Sequence, residues 1–140
     1  MTIRRYLRSP DARDCVMCRF SSETMGPDCP GHHYAVLPGG GVEAGETPRQ
    51  AAERELAEEC TLVGTAGALL WTSTHNGREA SYFFMEGVTG VAELSGDEAR
   101  ENCPTNSFQL LWSTAADLDK LALYPTEVKD KLRELVLRAC

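Results

Sequence analysis

Several features that mark common classes of protein are missing from this 140-residue sequence. No run of residues approaches the ~20 consecutive apolar residues that cross a bilayer. The amino-terminal stretch "MTIRRYLRSPDARD" is basic but lacks the apolar core of a secretory signal, so a cytoplasmic protein is expected. Internal repeats, low-complexity segments and linker-like stretches are also missing. A chain of this length typically forms one domain, which predicts a single domain over residues 1–140.

Positive charge is scarce. The chain has 14 Lys and Arg residues against 21 Asp and Glu residues, for a formal net charge of −7 at pH 7. Proteins that bind nucleic acid through its phosphates need clustered Lys and Arg side chains. The charge balance therefore argues against a nucleic acid or an anionic membrane as a partner. Small phosphate compounds stay open as ligands, because bound metal ions can supply the positive charge.

The six cysteines are even in number, but cytosolic thiols stay reduced and no disulfide framework is expected. Cys15, Cys18, Cys29 and His32 have a spacing that could bind zinc. The alternative is that "CVMCRF" is a short buried strand followed by a loop. On a strand, Cys15 and Cys18 would point to opposite faces, which a tetrahedral site could not use. A small zinc-binding interaction protein is therefore one hypothesis among others.

A helix is predicted from Pro48 to about Cys60. Thr47 can be its N-cap, Pro48 occupies the favoured first helical position, and Gln50 completes a capping box with Thr47. Just before this helix, a predicted strand at 34–38 ends at Pro38 and three glycines, which are expected to break it.

The other elements are mostly predicted strands. Asn-Gly at 76–77 between two strand-like runs predicts a β-hairpin. Further strands are predicted at 14–20 and 107–112, a loop at 94–106, and a last helix from Thr126. This order predicts a mixed sheet with helices packed on its faces, an α+β fold. Core positions are expected for Trp71, Tyr82, Phe83, Phe84 and Trp112.

The most unusual stretch is "GGGVEAGETPRQAAERELAEECTL", from Gly39 to Leu62, with six glutamates and two arginines in 24 positions. Residues three and four apart share a helix face, so Glu55, Glu58 and Glu59 form one carboxylate cluster. Like charges at this spacing cost only about 0.2–0.5 kcal/mol per pair, so a solvated acidic face stays open. The other interpretation is a Mg²⁺ or Mn²⁺ site, since hard oxygen ligands suit these ions and the glycines can bring backbone carbonyls close to a ligand.

The same segment resembles the Nudix box, which has Gly, Glu, Arg-Glu, an aliphatic residue, Glu-Glu, Gly and a final aliphatic residue at set spacings. The matching positions are Gly40, Glu46, Arg54, Glu55, Leu56, Glu58, Glu59 and Leu62. Thr61 stands where the pattern has Gly. Glycine just after a helix usually supplies a left-handed conformation that β-branched residues disfavour, so this helix is expected to end differently.

The resemblance implies a Nudix hydrolase with an α/β/α sandwich, in which a mixed sheet lies between helices. It implies hydrolysis of a nucleoside diphosphate linked to another moiety, by water attack on phosphorus. Glu55, Glu58, Glu59 and the Gly39 carbonyl would ligate Mg²⁺ or Mn²⁺, and one of the glutamates would help to activate the nucleophile. Arg54 and Glu46 would hold the glutamates in place, and Gly39 and Gly40 would border the substrate.

In this family a further base or ligand often comes from a later loop, where Glu98 is preferred over Glu101. The subgroup markers for ADP-ribose, coenzyme A and NADH are absent, and Tyr82 is poorly placed for the dinucleoside polyphosphate marker. By elimination, a nucleoside triphosphate, ordinary or damaged, is the expected small-molecule substrate. A nucleotide-sensing module that lost turnover is the alternative, although the intact glutamates favour an enzyme. A homodimer is compatible with so small a domain.

Overall fold

The structure is a computed structural model that describes residues 2–7, 15–22, 32–75, 77–101, 106–113, 118, 120, 123 and 126–138. Its strands are β1 (Thr2–Leu7), β2 (Cys15–Ser22), β3 (His32–Val36), β4 (Gly39–Gly41), β5 (Val63–His75), β6 (Arg78–Thr89) and β7 (Asn106–Ser113). Its helices are α1 (Pro48–Cys60), α2 (Asp97–Glu101) and α3 (Thr126–Arg138). In the described part of the chain, no helix has the length and apolar character to cross a membrane.

The strands form two sheets. The first is a mixed, four-stranded sheet of order β4-β1-β6-β5, in which β1 runs parallel to β6 and antiparallel to β4. The second is an antiparallel sheet of order β3-β2-β7. The predicted α+β fold with a mixed sheet and helices is confirmed. Strands were predicted at 14–20, 34–38 and 107–112, but not that they form a separate sheet. Strand β1 was not predicted at all. Both features depend on pairing between segments that are distant in sequence.

Strand β4 corrects one expectation. The three glycines after Pro38 do not simply break the chain, since Gly39, Gly40 and Gly41 pair with Arg4, Ile3 and Thr2 of β1. The predicted loop at 94–106 is also partly wrong, because it contains the short helix α2. Both differences arise from contacts between distant segments, which local glycine and polar content do not report.

Helix α1 begins as predicted. The Thr47 hydroxyl oxygen accepts a hydrogen bond from the Gln50 backbone N–H at 3.2 Å, and the Gln50 side-chain oxygen accepts one from the Thr47 N–H at 2.9 Å. This reciprocal pair is a capping box, with Pro48 in the first turn. The helix buries Ala51, Ala52, Leu56, Glu59 and Cys60.

The end of α1 is where the expectation about Thr61 was wrong. Thr61 adopts the left-handed conformation, with φ 56° and ψ 27°, that glycine usually supplies. Its hydroxyl lies 2.8 Å from the Val91 carbonyl oxygen and 2.6 Å from that of Cys60. A hydrogen bond to Val91 offsets part of the backbone strain, so the helix ends in the usual geometry without glycine.

Helices α1 and α3 pack on opposite faces of the mixed sheet. Successive residues of β6 alternate between the faces: Phe83 and Met85 lie in one core cluster with Leu56 of α1, whereas Ala80 and Tyr82 lie in the other with Val128 and Leu132 of α3. This is the predicted α/β/α sandwich.

The aromatic predictions largely hold. Tyr82 and Phe83 are buried, Phe84 packs against the core, and the half-buried Trp71 stacks on Tyr82 with ring centroids 5.6 Å apart. Trp112 is the exception, because it is 38% exposed. Trp112 lies on β7, which was predicted as a strand, but the strand pattern alone could not show that this position is exposed.

The zinc hypothesis falls largely outside the described residues. Cys29 is not described, and for Cys15, Cys18 and His32 the structure describes the backbone alone. Strand β2 runs without interruption from Cys15 to Ser22, in agreement with the interpretation of "CVMCRF" as a strand. The ligand set itself stays a hypothesis.

Candidate active site

Helix α1, strand β4 and helix α2 border a cleft of about 590 Å³. Its glycine wall consists of Gly39, Gly40 and Gly41, with Gly96 before α2. Its charged lining consists of Glu43, Arg54, Glu55, Glu58, Glu59, Asp97 and Arg100. The structure therefore brings Gly40, Arg54, Glu55, Glu58 and Glu59 of the box pattern together in one cleft. Glu46 does not line the cleft but contacts Arg54, and the aliphatic positions Leu56 and Leu62 are buried in the core.

Glu59 joins the end of α1 to β4. The residue is only 8% exposed, and its Oε2 accepts a hydrogen bond from the Gly39 N–H at 3.0 Å. A buried carboxylate needs such a partner, because desolvation of an unpaired charge is costly. The predicted role of the Gly39 carbonyl as a metal ligand stays a prediction, whereas its amide has this defined partner.

Gly40 makes room for Glu55. A Cβ atom added at Gly40 would lie 2.3 Å from Glu55 Oε1, whereas one added at neighbouring Gly41 would have nothing within 4 Å. The Glu55 carboxylate thus occupies the space that any side chain at position 40 would fill. The first glycine of the box pattern is needed here for the position of a carboxylate.

Arg54 is the centre of the site's ion-pair network. Its Nε and Nη2 donate to the two oxygens of Glu46, at 2.7 and 2.9 Å, in a bidentate pair. Its Nη1 donates to Glu55 Oε1 at 3.0 Å and to Glu58 Oε2 at 2.9 Å. Nη2 also donates to the Gly41 carbonyl at 3.0 Å. One guanidinium therefore joins the helix, the loop before it and strand β4.

This network shifts two pKa values in opposite directions. The hydrogen bond from Arg54 lowers the pKa of Glu46 below its ordinary value, aided by a backbone hydrogen bond within the Glu43–Glu46 turn. The hydrogen bond with Glu46 is in turn the main cause that raises the pKa of Arg54. Both groups are charged at neutral pH, as the predicted supporting pair requires.

The donor set fits a hard divalent cation. Carboxylate oxygens are the ligands that Mg²⁺ and Mn²⁺ prefer, and Glu55, Glu58 and Glu59 border a single cleft. In the described residues these side chains are not already gathered as a ligand group, since Glu55 and Glu58 share Arg54 Nη1 and Glu59 is bonded to Gly39. Glu55 and Glu58 each use only one carboxylate oxygen on Arg54, so the second oxygen of each can ligate a cation while Arg54 keeps its contacts with both residues and with Glu46.

The segment around α2 holds the residues that sequence reasoning missed. Glu98 was preferred, but only the backbone of Glu98 is described, and its role stays a prediction. The described side chains that line the cleft from α2 are those of Asp97 and Arg100, which form an ion pair. Their spacing of three residues, which places them on one helical face, is a signal that could have found them.

Comparisons with known proteins agree with this geometry. The family model of the NUDIX domain matches residues 5–132, nearly the whole chain. The chain belongs to the NUDIX family. Members of this family hydrolyse phosphoric anhydride bonds and generally use divalent metals such as Mg²⁺.

Three relatives of the NUDIX chain illustrate the similarity. It is 38% identical over 60 residues to an RNA pyrophosphohydrolase of Psychromonas ingrahamii, a match that takes in 43% of this chain and 33% of that relative. A MutT structure, from work on Aliivibrio salmonicida and Vibrio cholerae, has a TM-score of 0.67 and 19% identity over 99% of this chain and 97% of its own. An Ap4A hydrolase structure of C. elegans has a TM-score of 0.64 and 18% identity, and the match covers 96% of this chain and 95% of that chain. At such identities, the two structures show the fold alone.

Proposed function

We propose that this NUDIX protein is a divalent-metal-dependent pyrophosphohydrolase that cleaves a nucleoside diphosphate linked to another moiety. The observation that carries the proposal is the position of Glu55, Glu58 and Glu59 in one cleft beside the glycines of β4. A merely solvated acidic helix would need neither the space left at Gly40 for Glu55 nor the buried contact of Glu59 with Gly39.

The residues of the cleft would have distinct roles in this reaction. A bound Mg²⁺ or Mn²⁺ would neutralise phosphate charge and lower the pKa of a coordinated water. Glu55, Glu58 and Glu59 would hold it, and a glutamate that is not fully used in ligation would accept the proton of the attacking water. Arg54, anchored by Glu46, keeps Glu55 and Glu58 on the cleft side of α1.

The substrate class that we propose is the nucleoside triphosphates, ordinary or damaged. Names of the relatives support nucleotide-type substrates in general, since they include MutT, an Ap4A hydrolase and an RNA pyrophosphohydrolase. The net charge of −7 supports a small substrate over a long polyanion such as RNA. A cytoplasmic location and a single domain are part of the same proposal.

A hydrolysis panel tests the reaction. Purified protein is incubated with nucleoside triphosphates, oxidised nucleotides, ADP-ribose, nucleotide sugars, dinucleoside polyphosphates and a 5′-triphosphorylated RNA, each with Mg²⁺, Mn²⁺ or EDTA. We expect metal-dependent release of a nucleoside monophosphate from a triphosphate. Nucleotide binding without turnover on the whole panel would support the sensing module instead.

Two variants test the assignment of the glutamates. Glu58→Gln and Glu59→Gln should each lower kcat by well over tenfold at saturating Mg²⁺, because each removes a ligand charge from the cation that carries the catalysis. Glu93→Gln is the matched control, since Glu93 is exposed and does not line the cleft. Wild-type rates in both Glu58 and Glu59 variants, with unchanged thermal stability, would show that these residues are not the ligands.

A further inference from the structure

Arg100 differs in its surroundings from Arg54, the other cation that lines the described cleft. Arg54 already donates to Glu46, Glu55 and Glu58. The Arg100 side chain is 76% exposed and forms an ion pair with Asp97, and the Arg100 backbone N–H donates to the carbonyl of Gly96, the residue before α2. An exposed pair of this kind contributes little to stability. The Arg100 guanidinium can therefore exchange Asp97 for another anion at small cost.

The backbone before α2 is fixed against the end of α1 by hydrogen bonds. The N–H groups of Ser95 and Glu93 donate to the carbonyls of Glu59 and Cys60, at 2.8 and 3.0 Å, and the Ser95 hydroxyl donates to the Glu58 carbonyl. These carbonyls belong to the same helical turn that carries the Glu58 and Glu59 carboxylates. The position of Arg100 is thus tied to the position of the predicted metal ligands.

We propose that Arg100 is a substrate-binding residue whose guanidinium contacts a phosphate group of the bound nucleotide. This inference rests on the proposed function and extends it to a residue outside the Nudix box. In a cleft lined by five carboxylates, a phosphate needs positive charge beyond that of the metal. The planar guanidinium fork matches phosphate oxygens, and Arg54 is committed to holding glutamates. Asp97 holds Arg100 near the cleft until the substrate replaces it.

The test measures nucleotide affinity separately from turnover. Binding of α,β-methylene analogues of nucleoside triphosphates is measured by calorimetry at saturating Mg²⁺, for the wild type and for Arg100→Gln. We expect the Kd to rise by roughly tenfold, because the variant loses one charge-assisted contact with the phosphate. In turnover, KM should rise by a similar factor while kcat changes little, because the contact is the same in substrate and transition state. Arg100→Lys should recover part of the affinity.

Two further variants separate a direct contact from a general effect of charge. Arg133→Gln removes an arginine that is also paired with an aspartate three residues earlier, but in α3, away from the cleft. It should bind nucleotide as the wild type does. The double variant Asp97→Asn with Arg100→Gln restores the net charge without the guanidinium, and its Kd should stay raised. Wild-type affinity in the double variant would show that Arg100 acts only through charge and would overturn the proposal.

The outcomes distinguish the two proposals. Weakened binding in Arg100→Gln, together with no turnover by the wild type on any substrate, would refute the hydrolase and retain the phosphate contact. Normal wild-type turnover with an unchanged Kd and KM in Arg100→Gln would refute the phosphate contact and retain the hydrolase. A wild type that neither binds nor hydrolyses nucleotides would refute both.

Discussion

At the scale of single residues, the site depends on the absence of a side chain at Gly40. The Glu55 carboxylate lies where a Cβ atom at position 40 would be, while the neighbouring Gly41 has open space. Gly41 is therefore a suitable control for Gly40. It is also a glycine on strand β4, and its φ is not in the left-handed region.

Gly40→Ala should therefore lower metal-dependent turnover by about tenfold or more, because it displaces a metal ligand. Gly41→Ala should retain activity within about a factor of two, since nothing opposes its methyl group. Steady-state kinetics with Mg²⁺ titration check the pair, and thermal melts show that both variants fold. Equal activity of the two variants would contradict the close packing of Glu55 against Gly40.

The pair of Glu46 with Arg54 predicts a pH dependence of stability. Arg54 lowers the pKa of Glu46 in the folded protein below its ordinary value of 4.5. The stabilisation is therefore fully present above the unfolded-state pKa and is lost as the pH falls through the lower folded-state pKa.

Glu46→Gln should melt at a lower temperature than the wild type at neutral pH, and this difference should shrink as the pH falls below 4.5. Thermal melts of both proteins across that pH range make the comparison. A difference in Tm that stays constant over the whole range would mean that the charge of Glu46 contributes nothing to stability.

At the scale of elements, α1 is held at both of its ends. Its start has a capping box, and its middle is attached to the edge strand β5, where the Arg49 guanidinium donates to the Ala66 carbonyl at 2.9 Å and Glu53 accepts from the Ala66 N–H. Its end is capped by Thr61 and is hydrogen-bonded to the segment before α2. The carboxylates thus project from a helix that has little freedom to shift.

Substitutions at Thr61 test how the helix end is stabilised. A left-handed conformation costs a non-glycine residue about 1–2 kcal/mol, and a hydrogen bond returns about 0.5–1.5 kcal/mol. Thr61→Gly removes both terms, so its free energy of unfolding should stay within about 1 kcal/mol of the wild-type value. Thr61→Ala keeps the strain without the hydroxyl and should be about 1 kcal/mol less stable than the wild type.

Urea denaturation measures these differences directly. The expected order of stability places the alanine variant below the wild type and the glycine variant. If Thr61→Ala were as stable as the wild type, the contact with Val91 would contribute nothing. If Thr61→Gly were much more stable, the strain would be uncompensated.

At the scale of the whole molecule, the carboxylates of the cleft repel one another unless a cation neutralises them. A ligand that binds only the folded state raises its stability by about 2.7 kcal/mol at 100 times Kd. For a chain of this size, that corresponds to a rise in Tm on the order of 10 °C.

Mg²⁺ should therefore raise the Tm of the wild type, and EDTA should reverse the rise. The double variant Glu58→Gln with Glu59→Gln should lose most of the effect. Differential scanning fluorimetry, with NaCl at matched ionic strength as the control, separates ligation from screening. An equal rise in NaCl, or in the double variant, would contradict a metal site built from these glutamates.

The sequence alone determined what depends on neighbouring residues. The start of α1 at Thr47 and Pro48, the β5–β6 hairpin and the shared face of Glu55, Glu58 and Glu59 follow from local backbone chemistry and helical spacing. The resemblance of Gly40–Leu62 to the Nudix box also needs no structure, and the family match confirmed it.

Only the tertiary structure decided what depends on contacts between distant segments. Strand β4 exists because β1 pairs with the glycines, and Thr61 can end the helix because the Val91 carbonyl lies beside its hydroxyl. Arg100 lines the cleft because the segment before α2 is hydrogen-bonded to the end of α1. Such contacts form between residues far apart in the chain, so no local pattern of residues records them.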